Sequence, residues 1–483
     1  MKKILLSVSL CAIWVAPYAQ KSTTNIPALK IEAIKDIDSK YENYKTIALQ
    51  IWNYAEVGYK EQKSSALLQQ TLQNNGFSVQ SGVADIPTAF VASYGSGNPV
   101  IAILAEYDAL PGLSQQAVPE KKPVAGIAAG HGCGHHLFGT ASVAAGIELK
   151  KMIEAKKISG TIRVYGCPAE EGGSGKVYMV RAGLFNDVDA VVHWHPEEAN
   201  RITMTSALAN KSAKFRFYGI SAHASASPEK GRSALDAVEA MNNMVNMMRE
   251  HIPQETRIHY VITQGGKAPN VVPDFAEVYY YVRHPKREFA VSIFDRVVKA
   301  ANGAAMGTET KADYEIIGGT HDLLINRTLG EAMQQNLQKV GGVVYTPAEM
   351  EFGKKLQSSF GYQAPPIDKA ASIEPLKTVI DAGGGSTDVG DVSYVVPTVG
   401  MEAATWIPGT AAHSWQAVAA GGTSIGHKGM MIAAKTMALT AIDLYNSPAT
   451  IEESWKELRK RRGDNFKYEA LLGDRAPALD YRK

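Results

Sequence analysis

Apolar side chains recur at helical spacing over residues 36–73, which predicts two packed helices that stop at the polar, glycine-containing run 74–76. Two short apolar runs, 88–94 and 100–106, then flank a loop of glycine, serine, asparagine and proline. This pattern predicts a hairpin or two paired strands. The second run ends in acidic residues followed by a loop, a position from which carboxylates can reach a cleft.

The next part of the chain alternates between helical and strand-like periodicity. Residues 137–156 have a helical pattern, and the apolar or β-branched runs 161–165 and 190–192 predict strands. Strands that alternate with helices predict an α/β fold, with a sheet whose strand ends present loops at one rim. We therefore expect the functional chemistry at this rim.

Residues 207–318 have a different pattern, with about four strand-like runs and two helical runs. The clear strand-like runs are 213–218, 257–263 and 276–283. The helical runs are 233–250 and 288–305. This composition predicts a self-contained α+β module inserted in the first domain.

After this module the helical pattern returns at 326–340 and at the closing apolar segment 429–445, and 347–375 is a long polar connection. No membrane span is predicted after the N-terminal segment. The predicted organisation is a signal segment, a main domain in two parts, the insertion between them and a C-terminal tail, with the boundaries 1–19, 28–206, 207–318, 319–450 and 451–483.

Length and composition add little except at the N-terminus. A chain of 483 residues favours two domains, and a net charge of +2 gives no reason to expect nucleic acid or a membrane as partner. In residues 1–19, two lysines precede an apolar run that is too short to span a bilayer. This predicts a secretory signal cut near Ala19, although Pro17 fits the cleavage pattern poorly. We expect an exported protein, periplasmic or secreted.

The candidate chemistry begins at residues 130–136, where three histidines and one cysteine are separated by glycines. Glycines let several metal-binding side chains converge, so this stretch predicts half of a metal site. The alternative is a simple glycine-rich turn with buried His and Cys. A disulfide between Cys133 and Cys167 is possible in an exported protein, but free or metal-bound thiols are favoured because Cys133 lies among imidazoles.

Further candidates follow the predicted strands. Glu170 and Glu171 stand between an apolar strand and a glycine pair, so one carboxylate can bind a metal while the other faces a bound water as its base. His193 and His195 alternate at a strand end, and one ligand is expected from this pair, with His195 preferred. His413 is a lone histidine in a loop, of interest only because the site needs a donor on its far side.

Seven ordered motifs carry a resemblance that covers nearly the whole mature chain. They are Glu106-Tyr107-Asp108-Ala109-Leu110-Pro111-Gly112, Gly130-His131-Gly132-Cys133-Gly134-His135, Pro168-Ala169-Glu170-Glu171, Trp194-His195-Pro196, Ser221-Ala222-His223-Ala224, Pro269-Asn270-Val271-Val272 and Ala412-His413-Ser414-Trp415. The series resembles the dinuclear metallo-amidohydrolases of the aminoacylase and carboxypeptidase superfamily. More narrowly, it resembles the branch of aminobenzoyl-glutamate hydrolase B subunits, notably in Ser386-Thr387-Asp388-Val389-Gly390-Asp391-Val392-Ser393 and His427-Lys428-Gly429-Met430.

The resemblance implies a metallopeptidase-like catalytic domain with a mixed sheet, an inserted ferredoxin-like dimerisation domain, and two divalent ions, zinc or manganese. It also implies a homodimer, with a related second subunit as a further possibility. In it, Glu170 is the general base, His223 stabilises the oxyanion in the partner subunit, and Asn270 and Arg283 face a small amide substrate. The implied metal ligands are Cys133, His135, Glu171, His195 and His413.

His136 departs from the family pattern, which has Asp or Asn at this position, and this affects the expected metal preference and rate. The favoured function is hydrolysis of an N-acyl amino acid, with p-aminobenzoyl-glutamate as one candidate. The alternatives are a dipeptidase or carboxypeptidase of the same superfamily and a non-catalytic binding protein. A zinc deaminase is excluded because its Pro-Cys-x-x-Cys ligand pair is absent.

Overall fold

The computed structural model describes residues 25–482, so the predicted signal segment lies outside the described residues. Within this range the α-helices are α1 (Ile26–Ser39), α2 (Tyr41–Tyr54), α3 (Gln62–Asn74), α4 (His135–Glu154), α5 (Gly175–Arg181), α6 (Ala234–Met248), α7 (Arg287–Gly307), α8 (Arg327–Val340), α9 (Pro347–Gln357), α10 (Val389–Val395), α11 (Trp415–Gly421), α12 (Ser424–Asn446) and α13 (Pro448–Arg462). The strands are β1 (Ser78–Ser81), β2 (Phe90–Gly95), β3 (Val100–Ala105), β4 (Leu110–Pro111), β5 (Ala129–Gly130), β6 (Thr161–Gly166), β7 (Ala190–Glu197), β8 (Arg201–Ile202), β9 (Thr205–Ser206), β10 (Ala209–Tyr218), β11 (Arg257–Gln264), β12 (Phe275–His284), β13 (Lys311–Thr320), β14 (Asp381–Ala382) and β15 (Thr398–Ala404).

The main sheet has seven strands in the order β1-β2-β6-β3-β7-β15-β8. Its centre, β6-β3-β7-β15, is parallel, and the outer pairs are antiparallel. All residues of β3 are buried, since helices such as α4 and α12 pack against the sheet. This mixed sheet with flanking helices confirms the predicted α/β fold. Between residues 25 and 482, no helix has both the length and the hydropathy needed to cross a bilayer.

The predicted pairing of runs 88–94 and 100–106 is wrong. β6 lies between β2 and β3, antiparallel to β2 and parallel to β3. A parallel neighbour requires a crossover connection, which the chain between β3 and β6 supplies through α4. The fully apolar β3 thereby takes a central position, and the chain that leaves its carboxyl end leads into the histidine-rich loop before α4.

Of two helical predictions, the first is confirmed and the second is wrong. The two helices predicted over residues 36–73 are α2 and α3, which pack together, and this range also includes the end of α1. The connection predicted at 347–375 contains α9, which begins with Pro347 and a capping box formed by Thr346 and Glu349. The polar composition of α9 hid its helical pattern, although the capping box is a sequence signal for a helix start.

The inserted domain has its own antiparallel sheet, β11-β12-β10-β13, and its own hydrophobic core. Along the chain its elements follow the order β10-α6-β11-β12-α7-β13, which is the predicted ferredoxin-like α+β topology. Both helices pack against this sheet, where side chains such as Phe215, Val278 and Phe294 form the core. Side chains such as Asn210, Ser212 and Tyr281 line a cavity shared with the main domain.

Residues 451–483, predicted as a tail, begin inside α13. The following C-terminal strap, residues 463–482, runs back across the molecule. Leu472 is buried against the main core, and Arg475 donates a hydrogen bond to the Ile317 carbonyl in β13 at 2.7 Å. The strap therefore contacts both the main domain and the inserted sheet.

Glu148 on α4 is a buried acid outside the candidate site, and its titration gives a prediction about stability. Burial and the neighbouring Asp36 raise the pKa of Glu148 from 4.5 to about 8. Between these pH values the folded state holds a proton that the unfolded state has lost, so this group destabilises the fold as pH rises. Glu148→Gln should remove the loss, and its melting temperature relative to wild type should rise from about pH 5 to about pH 9. Thermal denaturation at both pH values checks this, and a pH-independent difference would contradict it.

Candidate metal centre

Cys133, in the loop before α4, and His135, the first residue of α4, point toward the end of β7. Gly134 precedes α4 with a φ of 73°, and a Cβ at this position would lie 2.6 Å from the Cβ of Pro196. Glycine allows both the left-handed backbone and this close approach. As a result, the Cys133 Sγ lies 3.4 Å from the His195 Nε2.

Two groups of potential metal donors share Cys133. The first contains Cys133, His135 and His195, and the second contains Cys133, Glu171 and His413. Within each group the donor atoms lie within 4.8 Å of one another. A thiolate common to two groups suits two neighbouring divalent ions. The structure thus brings together the five side chains predicted as ligands.

The hydrogen bonds of the two central histidines leave one nitrogen of each free for a metal. The His195 Nδ1 donates to the Pro196 carbonyl at 2.7 Å, so its Nε2 faces Cys133. The His135 Nδ1 lies 2.8 Å from the Asp108 Oδ1, and its Nε2 is buried without a hydrogen-bond partner. A buried nitrogen without a partner is unfavourable unless something else binds it, so the donor set fits metal ions.

The electrostatics of the centre agree with this fit. Burial lowers the pKa of His195 to about 3, which keeps it neutral and able to bind a cation. Burial raises the pKa of the Cys133 thiol well above its ordinary value. Burial opposes the charged form of His135, but its neighbours Asp108, Cys133 and Glu106 together outweigh burial and raise the pKa of His135. Metal binding must therefore release protons, and the affinity should increase with pH.

Asp108 is a functional residue that sequence reasoning did not assign individually. One carboxylate oxygen contacts the His135 Nδ1, and the other accepts a hydrogen bond from the Glu171 backbone N–H at 2.9 Å. Asp108 therefore orients two donors that come from different loops. Its signals in the sequence are its place just beyond a buried strand, where an acidic residue can reach a cleft, and its position in the first of the seven motifs.

Glu170 lies at the edge of the same cluster. Its carboxylate, together with Glu106 and His135, forms a third group of donor atoms within 4.8 Å of one another. Burial, and then the charges of Glu106 and Glu171, raise the pKa of Glu170 well above its ordinary value. Glu170 also lines the cavity, so it is adjacent both to the metal donors and to the space available for a substrate.

His193, the alternative to His195, forms part of the cavity wall. β7 continues beyond both histidines, so they share one face of the strand. His193 lies against Gly400, where an added Cβ would be 2.4 Å from the His193 Nε2, and it belongs to none of the donor groups found among residues 25–482. The geometry therefore favours His195 over His193 as the metal ligand.

His136, which departs from the family pattern, is buried, and its Nε2 donates a hydrogen bond to the Gly421 carbonyl at 3.0 Å.

The two cysteines among the described residues are free and buried. The Cys167 thiol donates to the Tyr165 carbonyl at 3.3 Å and is part of the main core. This confirms the expectation of free or metal-bound thiols and excludes the disulfide alternative in this structure.

A cavity of about 640 Å³ extends from the donor groups to the inserted sheet. Arg283, Asn210 and Thr320 are cross-strand neighbours on β12, β10 and β13, and all three line it. The Arg283 Nε, the Asn210 Oδ1 and the Thr320 Oγ1 are buried without hydrogen-bond partners. Arg283 therefore lies in the cavity, where the resemblance expects it to face a substrate.

His223 and Asn270 lie elsewhere on the inserted domain and do not line the cavity. Both are exposed, and their segments are joined by a hydrogen bond from the Ala224 N–H to the Asn270 carbonyl at 3.0 Å. The His223 Nδ1 accepts a hydrogen bond from the Ala226 N–H at 3.1 Å. The structure does not bring these two residues to the metal donors of the same chain.

The C-terminal strap holds the turn that carries Glu171. The Tyr481 hydroxyl donates to the Glu171 carbonyl at 3.0 Å, and Arg482 donates to the same oxygen. Deleting residues 480–483 removes both donors and should weaken metal binding by about 10-fold. Chelator competition measures the affinity. Deleting Lys483 alone is the matched control, and equal affinities for the two truncations would contradict the prediction.

Comparison with known proteins agrees with this centre. Residues 209–309 match the model of the peptidase dimerisation domain. Over 446 residues the chain is 43% identical to the B subunit of p-aminobenzoyl-glutamate hydrolase from Escherichia coli (strain K12), covering 87% of this chain and 93% of that protein. It is 29% identical over 456 residues to Xaa-Arg dipeptidase of Mus musculus, covering 91% and 94% of the two chains.

Solved structures share the fold. A putative aminohydrolase from methicillin-resistant Staphylococcus aureus gives a TM-score of 0.66 at 16% identity, covering 86% of this chain and 99% of that one. A dinuclear metal-binding peptidase of the M20 family from Bacillus subtilis gives 0.57 at 17% identity, covering 85% and 99%. These identities establish the fold alone, whereas the 43% identity to the Escherichia coli hydrolase extends over most of both chains. The chain belongs to the M20 family of metallopeptidases and amidohydrolases, enzymes that hydrolyse amide bonds.

Proposed function

We propose that the protein hydrolyses the amide bond of an N-acyl amino acid, with p-aminobenzoyl-glutamate as the first candidate substrate. The observation that carries this proposal is the sharing of Cys133 by two donor groups, with Glu170 beside them at the cavity. A two-metal centre next to a free carboxylate is suited to attack of water on a carbonyl group. The name of the bacterial relative with 43% identity supports the choice of substrate.

In the proposed reaction, the five predicted ligands would hold two divalent ions, which would supply a lowered pKa for a bound water and polarisation of the scissile carbonyl. Glu170 accepts a proton from the water and then gives it to the leaving amine. The products are a carboxylate and an amine.

A second subunit completes the site in this proposal. His223 and Asn270 are exposed on the domain that matches a dimerisation model, so they are available to another chain. We infer a homodimer in which His223 reaches the site of the other protomer and stabilises the negative charge that develops on the carbonyl oxygen. Asn270 would approach the substrate from the same side. A related but different chain is the alternative partner, because the name of the bacterial relative makes it one component of a larger hydrolase.

Arg283 is proposed to bind a carboxylate of the substrate. Its guanidinium lies 5.4 Å from the ring centre of Tyr281, and both side chains line the cavity. Arg283→Met should raise the KM for an acyl-glutamate by about 10- to 100-fold, with a smaller change in kcat, because a hydrogen bond to a charged group is lost. Arg216→Met is the control, since Arg216 on the same sheet pairs with Glu277 outside the cavity. Steady-state kinetics would contradict this role if both variants retained the wild-type KM.

The proposed ions are zinc or manganese. A thiolate donor favours the softer zinc ion, whereas the mixture of imidazole and carboxylate donors accepts either. The metal content of protein purified without chelators, followed by reconstitution with each ion, distinguishes them.

Export is a separate proposal that rests on residues 1–19 alone. The basic start, the short apolar run and the small residue at its end are typical of a secretory signal. Mass spectrometry of the mature N-terminus after expression and cell fractionation tests it. A mature chain that begins near residue 20 in an exported fraction supports export, and an intact N-terminus in the cytoplasm contradicts it.

The experiment that tests the function compares substrates on protein loaded with zinc or manganese. The panel contains p-aminobenzoyl-glutamate, other N-acyl amino acids, and dipeptides including those with C-terminal arginine. We expect the highest kcat/KM on an acyl amino acid. Preference for dipeptides would support the dipeptidase alternative, which the similarity to the mouse enzyme favours. A protein that binds metal but cleaves no amide would support a non-catalytic binding role.

A further inference from the structure

A buried group of three charged side chains lies directly behind the metal donors. The Lys176 Nζ is 2.6 Å from the Glu106 Oε1 and 2.6 Å from the Asp388 Oδ1. Asp388 also accepts a hydrogen bond from the Lys176 backbone N–H at 2.9 Å. Each of the three residues is at most 1% exposed. Burying two carboxylates and one ammonium is costly, so this arrangement invites a functional explanation.

The free oxygen of Glu106 points into the metal centre. The Glu106 Oε2 lies 3.2 Å from the His135 Nε2, yet neither atom makes a hydrogen bond. The other nitrogen of His135 is already held by Asp108, so the Nε2 is the one available to a metal. The contact between the Glu106 Oε2 and the His135 Nε2 is an ion pair when the imidazole is protonated, and the same two buried atoms can bind a common cation once the imidazole has lost that proton.

We propose that Glu106 is a further donor to the metal ion that His135 binds, and that Lys176 and Asp388 hold it in that position. The inference rests on the metal centre of the proposed function and adds a residue to it. Glu106, His135 and Glu170 already form a group whose donor atoms lie within 4.8 Å of one another.

The charge and placement of the group fit this role. Two carboxylates against one ammonium leave one net negative charge, which the free oxygen of Glu106 can offer to a cation. Lys176 lies in the first turn of α5, and Asp388 immediately precedes α10. The lysine therefore connects α5 to the start of α10, and Glu106 directly follows the fully buried β3. A donor positioned in this way cannot easily turn away from the ion.

The decisive variant is Glu106→Gln, which keeps the side-chain shape and an oxygen for Lys176 but removes the anionic donor. Its matched control is Glu148→Gln, the same substitution at a buried glutamate that neighbours Asp36 and belongs to none of the donor groups among residues 25–482. Loss of a residue that only orients a metal ligand weakens metal binding roughly 10- to 100-fold. We expect Glu106→Gln to weaken binding of one of the two ions by at least this factor, and we expect the control to bind both ions like wild type.

Two further measurements separate a ligand from a merely structural residue. The visible spectrum of the cobalt-loaded protein reports coordination, and Glu106→Gln should change it while Glu148→Gln should not. Asp388→Asn should weaken the same ion less strongly, whereas Asp391→Asn, in α10 but bonded to Tyr468, should not. These comparisons use the intact protein, with metal affinity and stoichiometry measured by titration.

The outcomes distinguish this inference from the proposed function. Loss of affinity for one ion together with an altered cobalt spectrum in Glu106→Gln supports the inference. If Glu106→Gln keeps the wild-type metal affinity and cobalt spectrum, Glu106 is not a metal ligand, and the inference is overturned while the two-metal centre stands. A wild-type protein that binds no pair of ions would instead overturn the metal centre on which the proposed function depends.

Discussion

Replacing Glu170 by glutamine should lower kcat on the best amide substrate by about 10²- to 10⁴-fold, the usual contribution of a general base. Glutamine keeps the shape of the side chain but cannot accept a proton from water. Glu170 belongs to neither of the two donor groups that share Cys133, so the variant should still bind two ions. The expected result is therefore loss of turnover with unchanged metal stoichiometry.

Glu171→Gln is the matched comparison because the two glutamates are adjacent and only Glu171 belongs to a Cys133 group. It should lose metal affinity first and activity as a consequence, with partial recovery at high metal concentration. If Glu170→Gln lost an ion and Glu171→Gln kept both, the two roles would have to be exchanged.

Replacing Cys133 by alanine should have the second large effect. The Cys133 sulfur belongs to both donor groups, so its loss removes a donor from each ion at once. A substitution that removes only an outer partner of a ligand costs roughly 10- to 100-fold in metal affinity, and loss of a shared ligand should exceed this for both ions. Activity should fall below detection unless metal is added in excess. Titration with zinc or manganese measures both affinities.

Cys167→Ala provides the control for Cys133→Ala. Cys167 is also buried and free, but its thiol bonds to the Tyr165 carbonyl and belongs to no donor group found among residues 25–482. This variant should lose some stability through a small cavity while binding both ions normally. A Cys133→Ala protein that bound two ions as tightly as the Cys167→Ala protein would contradict the shared-ligand arrangement.

Periodicity in the sequence predicted those parts of the fold that depend on local hydrophobic patterns. The alternation of strands with helices indicated the α/β sheet, and the change of pattern near residue 207 indicated the inserted domain. The hairpin prediction failed because the crossover through α4 places β6 between β2 and β3. The local sequence around β2 and β3 contains no information about this later strand. α9 was missed because its exposed, polar surface has few apolar positions, although its capping box is visible in the sequence.

The candidate site shows the same division between local and distant information. The family resemblance implied the five side chains that the structure brings together. Glycines and strand ends by themselves indicated only part of this set, and no local pattern indicated His413. The choice of His195 over His193 depended on the regularity of β7 and on packing against Gly400. The contact of Lys176 with Asp388 joins residues 212 positions apart, so nothing in the sequence near either residue reveals it.

Anomalous diffraction from crystals grown with zinc or manganese tests whether two metal ions share the Cys133 thiolate. We expect two peaks about 3.5–4 Å apart, both within bonding distance of the Cys133 sulfur. One peak should also lie near His135 and His195, and the other near Glu171 and His413. A single peak, or two peaks that do not share Cys133, would contradict a two-metal centre built on this thiolate.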